Sequence, residues 1–260
     1  MNSKPSVTLV IQARMGSTRL PGKMLLPLHQ NKSLLHWLLT RIKSSKMVEH
    51  IVVATSNLEE DRAIVEACEN EGISCIVGSD WDVLSRFYNA ASSFPSDIVV
   101  RVCGDSPLIN GEIIDFVVEQ LLSRKVDYFS NGNEPPHYAE DGFCAEAFYM
   151  SDLKEAFENA EWMSEREHVT PYIKKNKNLR HAWQQFSNDY RYKLSVDTPD
   201  DFKKVQWIFE HLHRPESDGM QRILEIIRSP NSIVGEAQKL NEGYQKSLTE
   251  DQKVGRANSK

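Results

Sequence analysis

The sequence predicts an α/β fold: a mostly parallel sheet flanked by helices, with a small α/β insertion. Two observations support this prediction. Short apolar runs alternate with amphipathic stretches of helical period through the first half of the 260 residues. The first run, VTLVIQ at 7–12, is apolar at nearly every position, as is typical of a strand buried on both faces. A chain of this length that is 40% hydrophobic can bury one large core.

The predicted elements follow this rhythm along the chain. In the first half, strands are predicted at 7–12, 50–55, 73–78, 96–109 (which enters a turn) and 127–131, with helices at 33–45, 58–72, 82–94 and 111–125. In the less regular second half, strands are predicted at 142–150, 179–186 and 191–199, with helices at 151–160, 164–176, 200–212 and 219–229. We therefore predict one domain over 1–230 with an insertion at about 130–190, followed by a polar, flexible tail over 231–260.

Composition excludes several classes of protein. The formal net charge of −6 offers a polyanion no overall attraction, which argues against nucleic-acid binding. No apolar run approaches the ~20 residues of a membrane-spanning helix. The cysteines, Cys68, Cys75, Cys103 and Cys144, form no CxxC pair or zinc spacing, and the first residues show no signal peptide. We therefore expect reduced thiols and a cytoplasmic protein.

A basic loop that contains glycines, ARMGSTRLPGK, follows the first strand. Ligands of open α/β sheets bind beyond the carboxyl ends of the strands, so the loop lies where a ligand is expected. Gly16 and Gly22 permit the close backbone approach that lets N–H groups point at one anion. The charges of Arg14, Arg19 and Lys23 suit a triphosphate better than a single phosphate. The pattern matches neither a P-loop nor a dinucleotide fingerprint, and the alternative is a basic surface loop.

This loop and further segments resemble a known family. QARMGSTRLPGKML is similar to the N-terminal signature of the cytidylyltransferases related to the spore coat polysaccharide protein SpsF and, more distantly, to the CMP-Kdo and CMP-sialic acid synthetases. The likeness continues through IVVATS, GSDWDVLSRFY, VVRVCGDSPLI, DGFCAEAF, SEREHVTPYI and LSVDTPDDF, and covers roughly residues 7–212. It implies a Rossmann-like nucleotide-diphospho-sugar transferase fold. It also implies a Mg²⁺-dependent transfer of CMP from CTP to a sugar, with an acidic sugar favoured, and release of pyrophosphate in surface polysaccharide or glycoconjugate biosynthesis.

Two aspartates that end predicted strands are the candidate metal ligands. Asp105, in VCGDSPLI, follows a strand expected near the first one, and Asp197, in LSVDTPDDF, ends a late strand. Carboxylates are the protein ligands that Mg²⁺ takes alongside phosphate oxygens. Both positions have a structural alternative: an Asx turn at Asp105, and a helix cap at Asp197 or Thr198 before Pro199. The resemblance implies that both aspartates bind the metal.

One segment departs from the family pattern. Many relatives carry a second acid in a pattern close to DG-x-D-x-E, where this chain has Cys144 between Asp141 and Glu146. A neutral thiol offers Mg²⁺ no hard oxygen, so any metal or substrate role there falls to Glu146 or is lost. Cys144 could also act as a thiolate nucleophile, although no activating partner is visible nearby in the sequence.

Other candidate residues carry weaker signals. Arg86 could reach the nucleotide, but Ser79 and Asp82 before it form a good capping box that explains the segment alone. Arg101 interrupts an apolar strand, so we expect it to face the cleft or an acid. The resemblance implies a substrate-facing or subunit-facing role for Arg166 and His168, whereas a helix capped by Ser164 is the structural alternative. The candidate nucleotide contacts are Ala13, Arg14, Gly16, Ser17, Arg19, Lys23, Arg86 and Arg101, and the candidate acceptor contacts are Glu146, Arg166, His168 and Tyr138, with His137 beside it.

The expected enzyme is a cytidylyltransferase in which Arg14, Lys23 and Asp105 are catalytic. Its expected partners are CTP and a sugar acceptor, with a homodimer as a possible assembly. Two alternatives remain at this point. A nucleotide-sugar-dependent glycosyltransferase would carry a DxD motif and no multi-basic loop after the first strand. A nucleotide-binding homologue without catalysis would be consistent with Cys144.

Overall fold

A seven-stranded sheet forms the centre of the molecule. The computed structural model describes residues 4–132, 142–184, 186 and 192–236. The sheet has the order β5-β4-β1-β6-β8-β7-β9. The strands are β1 Val7–Gln12, β2 Pro27–His29, β3 Lys32–Ser33, β4 His50–Ser56, β5 Ser74–Gly78, β6 Ile98–Cys103, β7 Tyr128–Ser130, β8 Ala145–Tyr149 and β9 His181–Trp183, with β2 and β3 forming a separate hairpin.

Helices cover both faces of the sheet in the described ranges. They are α1 Leu34–Ile42, α2 Arg62–Asn70, α3 Val83–Ser92, α4 Gly111–Arg124, α5 Met150–Asn159, α6 Met163–His168, α7 Pro171–Lys175, α8 Pro199–His211 and α9 Met220–Ile227. Strands β5, β4, β1 and β6 run parallel, β8 is antiparallel to both β6 and β7, and β9 is parallel to β7. The predicted mostly parallel sheet flanked by helices is therefore confirmed.

The alternation of side chains along β1 builds two cores, one on each face of the sheet. Leu9 and Ile11 pack with α1, α4, α8 and α9, whereas Val10 packs with α3 and α5. All three side chains are fully buried, and each contributes about 1.5–3 kcal/mol by leaving water. Because both faces are covered, the chain has to place its polar groups at the ends of these strands.

The structure corrects the prediction in three places. In the strand predicted over 191–199, residues 192–198 hold only an isolated bridge at Lys193, and Pro199 already begins α8. The segment ends in the cap of that helix, where the Thr198 hydroxyl accepts from the Asp201 N–H at 3.2 Å. The helix predicted over 164–176 breaks at Val169, whose φ is 70°, and resumes at Pro171. The hairpin of β2 and β3 was not predicted; Gln30 and Asn31 turn it with positive φ angles of 50° and 57°.

Val234, inside the segment predicted as a polar tail, is buried against the core on the α9 side. The rest of that segment, 237–260, lies outside the described residues. In the part of the chain that is described, no helix has the length and apolar character needed to cross a membrane.

Candidate active site

The basic loop leaves the carboxyl end of β1, and a buried aspartate anchors it. The Met15 N–H donates to Asp61 Oδ1 at 2.5 Å, while the Ser56 hydroxyl and its N–H, the latter at 3.3 Å, donate to Asp61 Oδ2. The Met15 carbonyl in turn accepts from the N–H groups of Ser17 at 2.8 Å and Gly22 at 3.1 Å. Asp61 thus joins the end of β4 to the loop. The sequence analysis did not identify this role of Asp61, because the segment LEEDR is also typical of the acidic first turn of a helix.

The tip of the loop is exposed, whereas its base is held by the sheet. The Ala13 N–H donates to the Ala54 carbonyl at 3.2 Å, and the Ser17 hydroxyl accepts from the Leu20 N–H at 3.3 Å. Gly16 is exposed, and a Cβ there would lie 3.1 Å from Glu60 Oε1. A side chain at position 16 would therefore require the exposed Glu60 side chain to shift slightly.

The two predicted metal ligands meet the loop at one ammonium group. Lys23, which is nearly buried, places its Nζ 3.4 Å from Asp105 Oδ2, 3.4 Å from Asp197 Oδ1 and 2.6 Å from the Val196 carbonyl. Arg19 reaches Asp197 Oδ1 from the solvent side, with 3.0 Å between Nη2 and the oxygen. The sequence distance between these groups is large, and the fold alone brings them together.

Backbone contacts fix the two carboxylates next to each other. The Val196 N–H donates to the Asp105 carbonyl at 2.8 Å, which ties the segment before α8 to the loop after β6. Gly104 lets β6 approach β1 closely, because a Cβ there would lie 2.8 Å from the Gln12 carbonyl oxygen. Any other residue at position 104 would push Asp105 away from Lys23.

The electrostatics of Asp197 favour its charged form. Burial by itself would raise the pKa of this carboxyl group, but the nearby charges of Lys23, Lys193 and Arg19 outweigh it and hold the pKa below its ordinary value of 3.8. Lys193 contributes from the far side, where its Nζ lies 3.2 Å from Asp197 Oδ2. Asp197 is therefore ionised at neutral pH.

Asp105 and Asp197 fit the requirements of a divalent cation such as Mg²⁺. Both offer hard oxygens, and both already lie within 3.4 Å of one positive group, the Lys23 ammonium. Within the described ranges no cluster of three or more His, Cys, Asp and Glu side chains could hold a metal. A pair of carboxylates is nevertheless the usual protein contribution where phosphate oxygens and water complete the coordination of Mg²⁺.

Arg14 of the loop and the nearby Arg86 form no salt bridge within the described ranges, although Asp61, Asp80 and Asp82 lie close enough to Arg86 to offset part of its charge. Arg14 is exposed and forms no ion pair with any residue that the structure describes. Arg86 is buried and donates from Nη1 to the carbonyls of Ser79 at 2.8 Å and Asp80 at 3.1 Å, while its Nε has no partner in the described part of the chain. Burial and then the charge of Arg14 lower the pKa of Arg86. An anionic or carbonyl-bearing ligand would offset both the burial of the Arg86 charge and its repulsion by Arg14.

The capping box predicted from Ser79 and Asp82 forms only in part, because Asp82 and not Ser79 takes the cap position of α3. Asp82 Oδ1 accepts from the Ser85 N–H at 2.9 Å, and the Ser79 hydroxyl accepts from the Asp82 N–H at 3.1 Å. These contacts at the start of α3 account for Ser79 and Asp82 without a ligand. Arg86 stays a predicted nucleotide contact.

Glu146 lies at the centre of a buried ionic network instead of facing an open cleft. Its side chain is 3% exposed and pairs with Arg101 through Oε2. Its Oε1 accepts from Lys174 Nζ at 2.6 Å, the Tyr128 hydroxyl at 2.5 Å and the Thr170 hydroxyl at 3.0 Å. Burial alone would raise the pKa of Glu146, but Lys174 and Arg101 hold it far below its ordinary value.

This network reaches the start of the basic loop. Arg101 donates from Nε and Nη2 to Gln12 Oε1 at 3.1 and 2.9 Å, and Gln12 is the last residue of β1. Arg101 therefore faces an acid, one of the two environments expected for it. Cys144 lies beside the network, where burial and the charge of Glu146 raise the pKa of its thiol to about 12. Such a thiol stays protonated at neutral pH, which disfavours the nucleophile alternative.

The segment SEREHVTPYI is held mainly by contacts within the protein. Arg166 donates to the Ala160 carbonyl at 3.1 and 2.9 Å and lies 3.4 Å from Asp82 Oδ2. His168 is half-buried at the end of α6, next to the turn at Val169. Ser164 does not cap α6, because the helix begins one residue earlier and Trp162 takes the cap position. His137, Tyr138 and Asp141 lie outside the described residues.

Comparisons with known proteins agree with this arrangement. A family model described as cytidylyltransferase matches residues 8–232. The spore coat polysaccharide biosynthesis protein SpsF of Bacillus subtilis is 30% identical over 240 residues, which cover 87% of this chain and 96% of that protein. The 3-deoxy-manno-octulosonate cytidylyltransferase of Bdellovibrio bacteriovorus is 39% identical over 115 residues, 44% of each chain.

A solved structure extends the likeness to three dimensions. A cytidylyltransferase from Leptospira borgpetersenii superposes with a TM-score of 0.79 at 31% identity, covering 86% of this chain and 94% of that one. The matched region contains the basic loop, both aspartates and the buried network. Because the family model spans most of the chain, this protein belongs to the cytidylyltransferase family and is a nucleotidyltransferase.

Proposed function

We propose that this enzyme transfers CMP from CTP to a sugar acceptor, with Mg²⁺ as the metal and pyrophosphate as the second product. The observation that carries the proposal is the convergence of Asp105 and Asp197 on Lys23 of the basic loop, at 3.4 Å each. Nucleotidyl transfer needs such a place, where carboxylates for a metal and cations for a triphosphate lie together. No observation favours the glycosyltransferase alternative, because GDSP stands where a DxD motif would be expected.

The loop residues would bind and orient the triphosphate. The exposed Arg14 and Arg19 neutralise its charge, and the Gly16 N–H and the Ser17 hydroxyl donate to phosphate oxygens, since the Ser17 N–H is used within the loop. The buried Lys23 holds the two aspartates in place. The hydroxyl oxygen of the acceptor then attacks the α-phosphorus, and the new P–O bond forms as the bond to pyrophosphate breaks, while the hydroxyl proton passes to water. Mg²⁺ held by Asp105 and Asp197 would supply charge neutralisation at the phosphates. Arg86, with its unpartnered Nε, is the proposed contact to the rest of the nucleotide.

We propose an acidic sugar as the acceptor, in surface polysaccharide or glycoconjugate biosynthesis. The support comes from the relatives: one is a 3-deoxy-manno-octulosonate cytidylyltransferase, and another is a spore coat polysaccharide biosynthesis protein. The charges of Glu146 and Arg166 are satisfied within the protein. We therefore propose that Glu146 and Arg166 support the structure around the acceptor and do not bind it through their charges. Contacts of His168 and Tyr138 with the acceptor stay predictions. A homodimer and a cytoplasmic location also stay predictions.

The test is turnover of labelled CTP with Mg²⁺ and a panel of acceptors: 3-deoxy-manno-octulosonate, a sialic acid, a neutral hexose and a polyol phosphate. We expect CMP-sugar and pyrophosphate in equal amounts with an acidic sugar, and a loss of about 100-fold or more in kcat/KM for Asp105→Asn. Asp200→Asn is the matched control, because Asp200 is a nearby aspartate whose side chain is 84% exposed. Absence of CMP transfer to any acceptor would refute the proposal.

A further inference from the structure

Arg19 occupies the side of Asp197 that a metal would need. We propose that Arg19 keeps the divalent cation away from Asp197 until a triphosphate draws the guanidinium to itself, so that metal and nucleotide bind together. This inference rests on the proposed function, because it concerns how the same site is filled. It adds a regulatory role for Arg19 to that of a phosphate contact.

The other partners of Asp197 are fixed, which leaves Arg19 as the group that can move. Lys23 is nearly buried, and the Val196 carbonyl holds its Nζ at 2.6 Å. Lys193 contacts the opposite oxygen, Oδ2, and is also tied to Asp201 at 2.7 Å. Arg19 by contrast has a side chain that is 59% exposed, and Asp197 is its one ion-pair partner among the residues that the structure describes.

Because the ion pair between Arg19 and Asp197 is exposed to solvent, Arg19 can leave Asp197 for a triphosphate. A pair between an exposed guanidinium and a carboxylate is weak, because solvent screens it and the long side chain loses freedom. A triphosphate, with several charges close together, competes well for the same guanidinium. When Arg19 moves away, Asp197 Oδ1 keeps only the Lys23 contact and can face a cation on its solvent side.

The exchange makes the two ligands cooperative. The nucleotide strengthens binding of the metal by removing its competitor, and by linkage the metal strengthens binding of the nucleotide by the same factor. Without nucleotide, the positive charge of Arg19 both blocks Asp197 Oδ1 and repels a divalent ion. The metal affinity of the ligand-free protein is therefore limited by Arg19.

The experiment measures binding of Mn²⁺ alone to the full chain, by the loss of the free-ion signal in electron paramagnetic resonance. We expect Arg19→Ala to bind Mn²⁺ about two- to fivefold more tightly than the wild type without nucleotide. Arg19→Lys, which keeps a cation, should return toward the wild-type value. Arg14→Ala is the matched control, since it removes an equal charge from the same loop but has no ion pair with Asp197 or any other described residue. We expect it to change Mn²⁺ affinity less than Arg19→Ala does.

A second arm repeats the titration with CTP. We expect CTP to raise the Mn²⁺ affinity of the wild type by a larger factor than that of Arg19→Ala. If Arg19→Ala binds Mn²⁺ no more tightly than Arg14→Ala, the inference is overturned, whatever CTP does. If Arg19→Ala tightens Mn²⁺ binding but CTP raises the Mn²⁺ affinity of the wild type and of Arg19→Ala by the same factor, the inference is also overturned. If CTP binds to none of the variants but ATP, GTP or UTP gives the larger rise in the wild type, the inference holds and the proposed function fails.

Discussion

At the scale of single residues, Asp61 is the side chain on which the geometry of the basic loop depends most directly. It accepts from the N–H groups of Met15 and Ser56 while lying fully buried. The acid therefore sets the position of the loop without facing a ligand. Asp61 is the last of three successive acids in the segment LEEDR, and the sequence does not indicate which of the three faces the interior.

Replacing Asp61 with Ala should weaken both the fold and the binding of CTP. The buried N–H groups of Met15 and Ser56 would lose their acceptor, at a cost of about 1–3 kcal/mol in the free energy of unfolding. A loop that has to be reordered on binding loses about 1–2 kcal/mol for each residue, so the affinity for CTP should fall about tenfold. Urea unfolding and CTP titration check the two effects. Glu59→Ala, an exposed acid of the same turn, should change neither.

Glu146 gives a prediction on pH at the same scale. Its pKa in the folded protein lies below its ordinary value of 4.5, because Lys174 and Arg101 outweigh the effect of burial. In the unfolded chain the group takes up a proton near that ordinary value, whereas in the folded protein it remains charged. The stabilisation is thus complete above about pH 4.5 and is lost progressively as the pH falls through the folded pKa.

Glu146→Gln should remove that pH dependence and leave two cations without their counter-charge. We expect a loss of about 3–5 kcal/mol in the free energy of unfolding at pH 7, and a smaller loss at acidic pH, so the difference from the wild type narrows on acidification. Denaturant unfolding at several pH values measures it. Glu158→Gln, in an exposed pair with Lys154, should keep the wild-type slope. A difference that stays constant with pH would contradict the assignment.

At the scale of elements, α4 ends at a lysine in a backbone conformation where helices commonly have a glycine. Lys125 takes φ 53° and ψ 44°, the left-handed conformation that glycine adopts without strain, and its side chain is exposed. Lys125→Gly should therefore stabilise the protein by about 0.5–1 kcal/mol. Glu119→Gly, at an exposed position inside the same helix, should destabilise it by a similar amount. Thermal unfolding of both variants checks the opposite signs.

The sequence predicts a helix or strand correctly where the local hydrophobic period determines it. It fails where contacts with distant residues determine the structure. The runs at β1, β4 and β6 alternate with helices in a pattern that needs no knowledge of the fold, and Asp105 could be placed at a strand end by the same argument. Residues 192–198 have a strand-like composition, yet they form an irregular connection that places Asp197 beside Lys23. Likewise, nothing local indicates that Val169 adopts a positive φ, which a β-branched residue seldom does.

At the scale of the whole molecule, one buried arginine joins three distant parts of the chain. Arg41, in α1, is completely buried and donates to the carbonyls of Leu108 at 3.2 and 2.9 Å, Pro215 at 2.5 Å and Asp218 at 2.8 Å. Burial lowers its pKa to about 10, so it remains charged at neutral pH. The sequence does not reveal this role of Arg41, because its partners lie 67 to 177 residues away along the chain.

Arg41→Met should therefore affect the fold and the site together. Three carbonyls would lose their donors in a buried place, and we expect the free energy of unfolding to fall by about 3–5 kcal/mol. Leu108 lies three residues after Asp105, so release of this loop should also weaken binding of CTP with Mg²⁺ in the fraction that remains folded. Lys43→Met, two residues later at the end of α1, where the lysine side chain is 41% exposed, should stay within about 0.5 kcal/mol of the wild type. If Arg41→Met lost stability but bound CTP with Mg²⁺ as tightly as the wild type, the loop at Asp105 would owe its position to the sheet alone, through Gly104 and the Val196 contact.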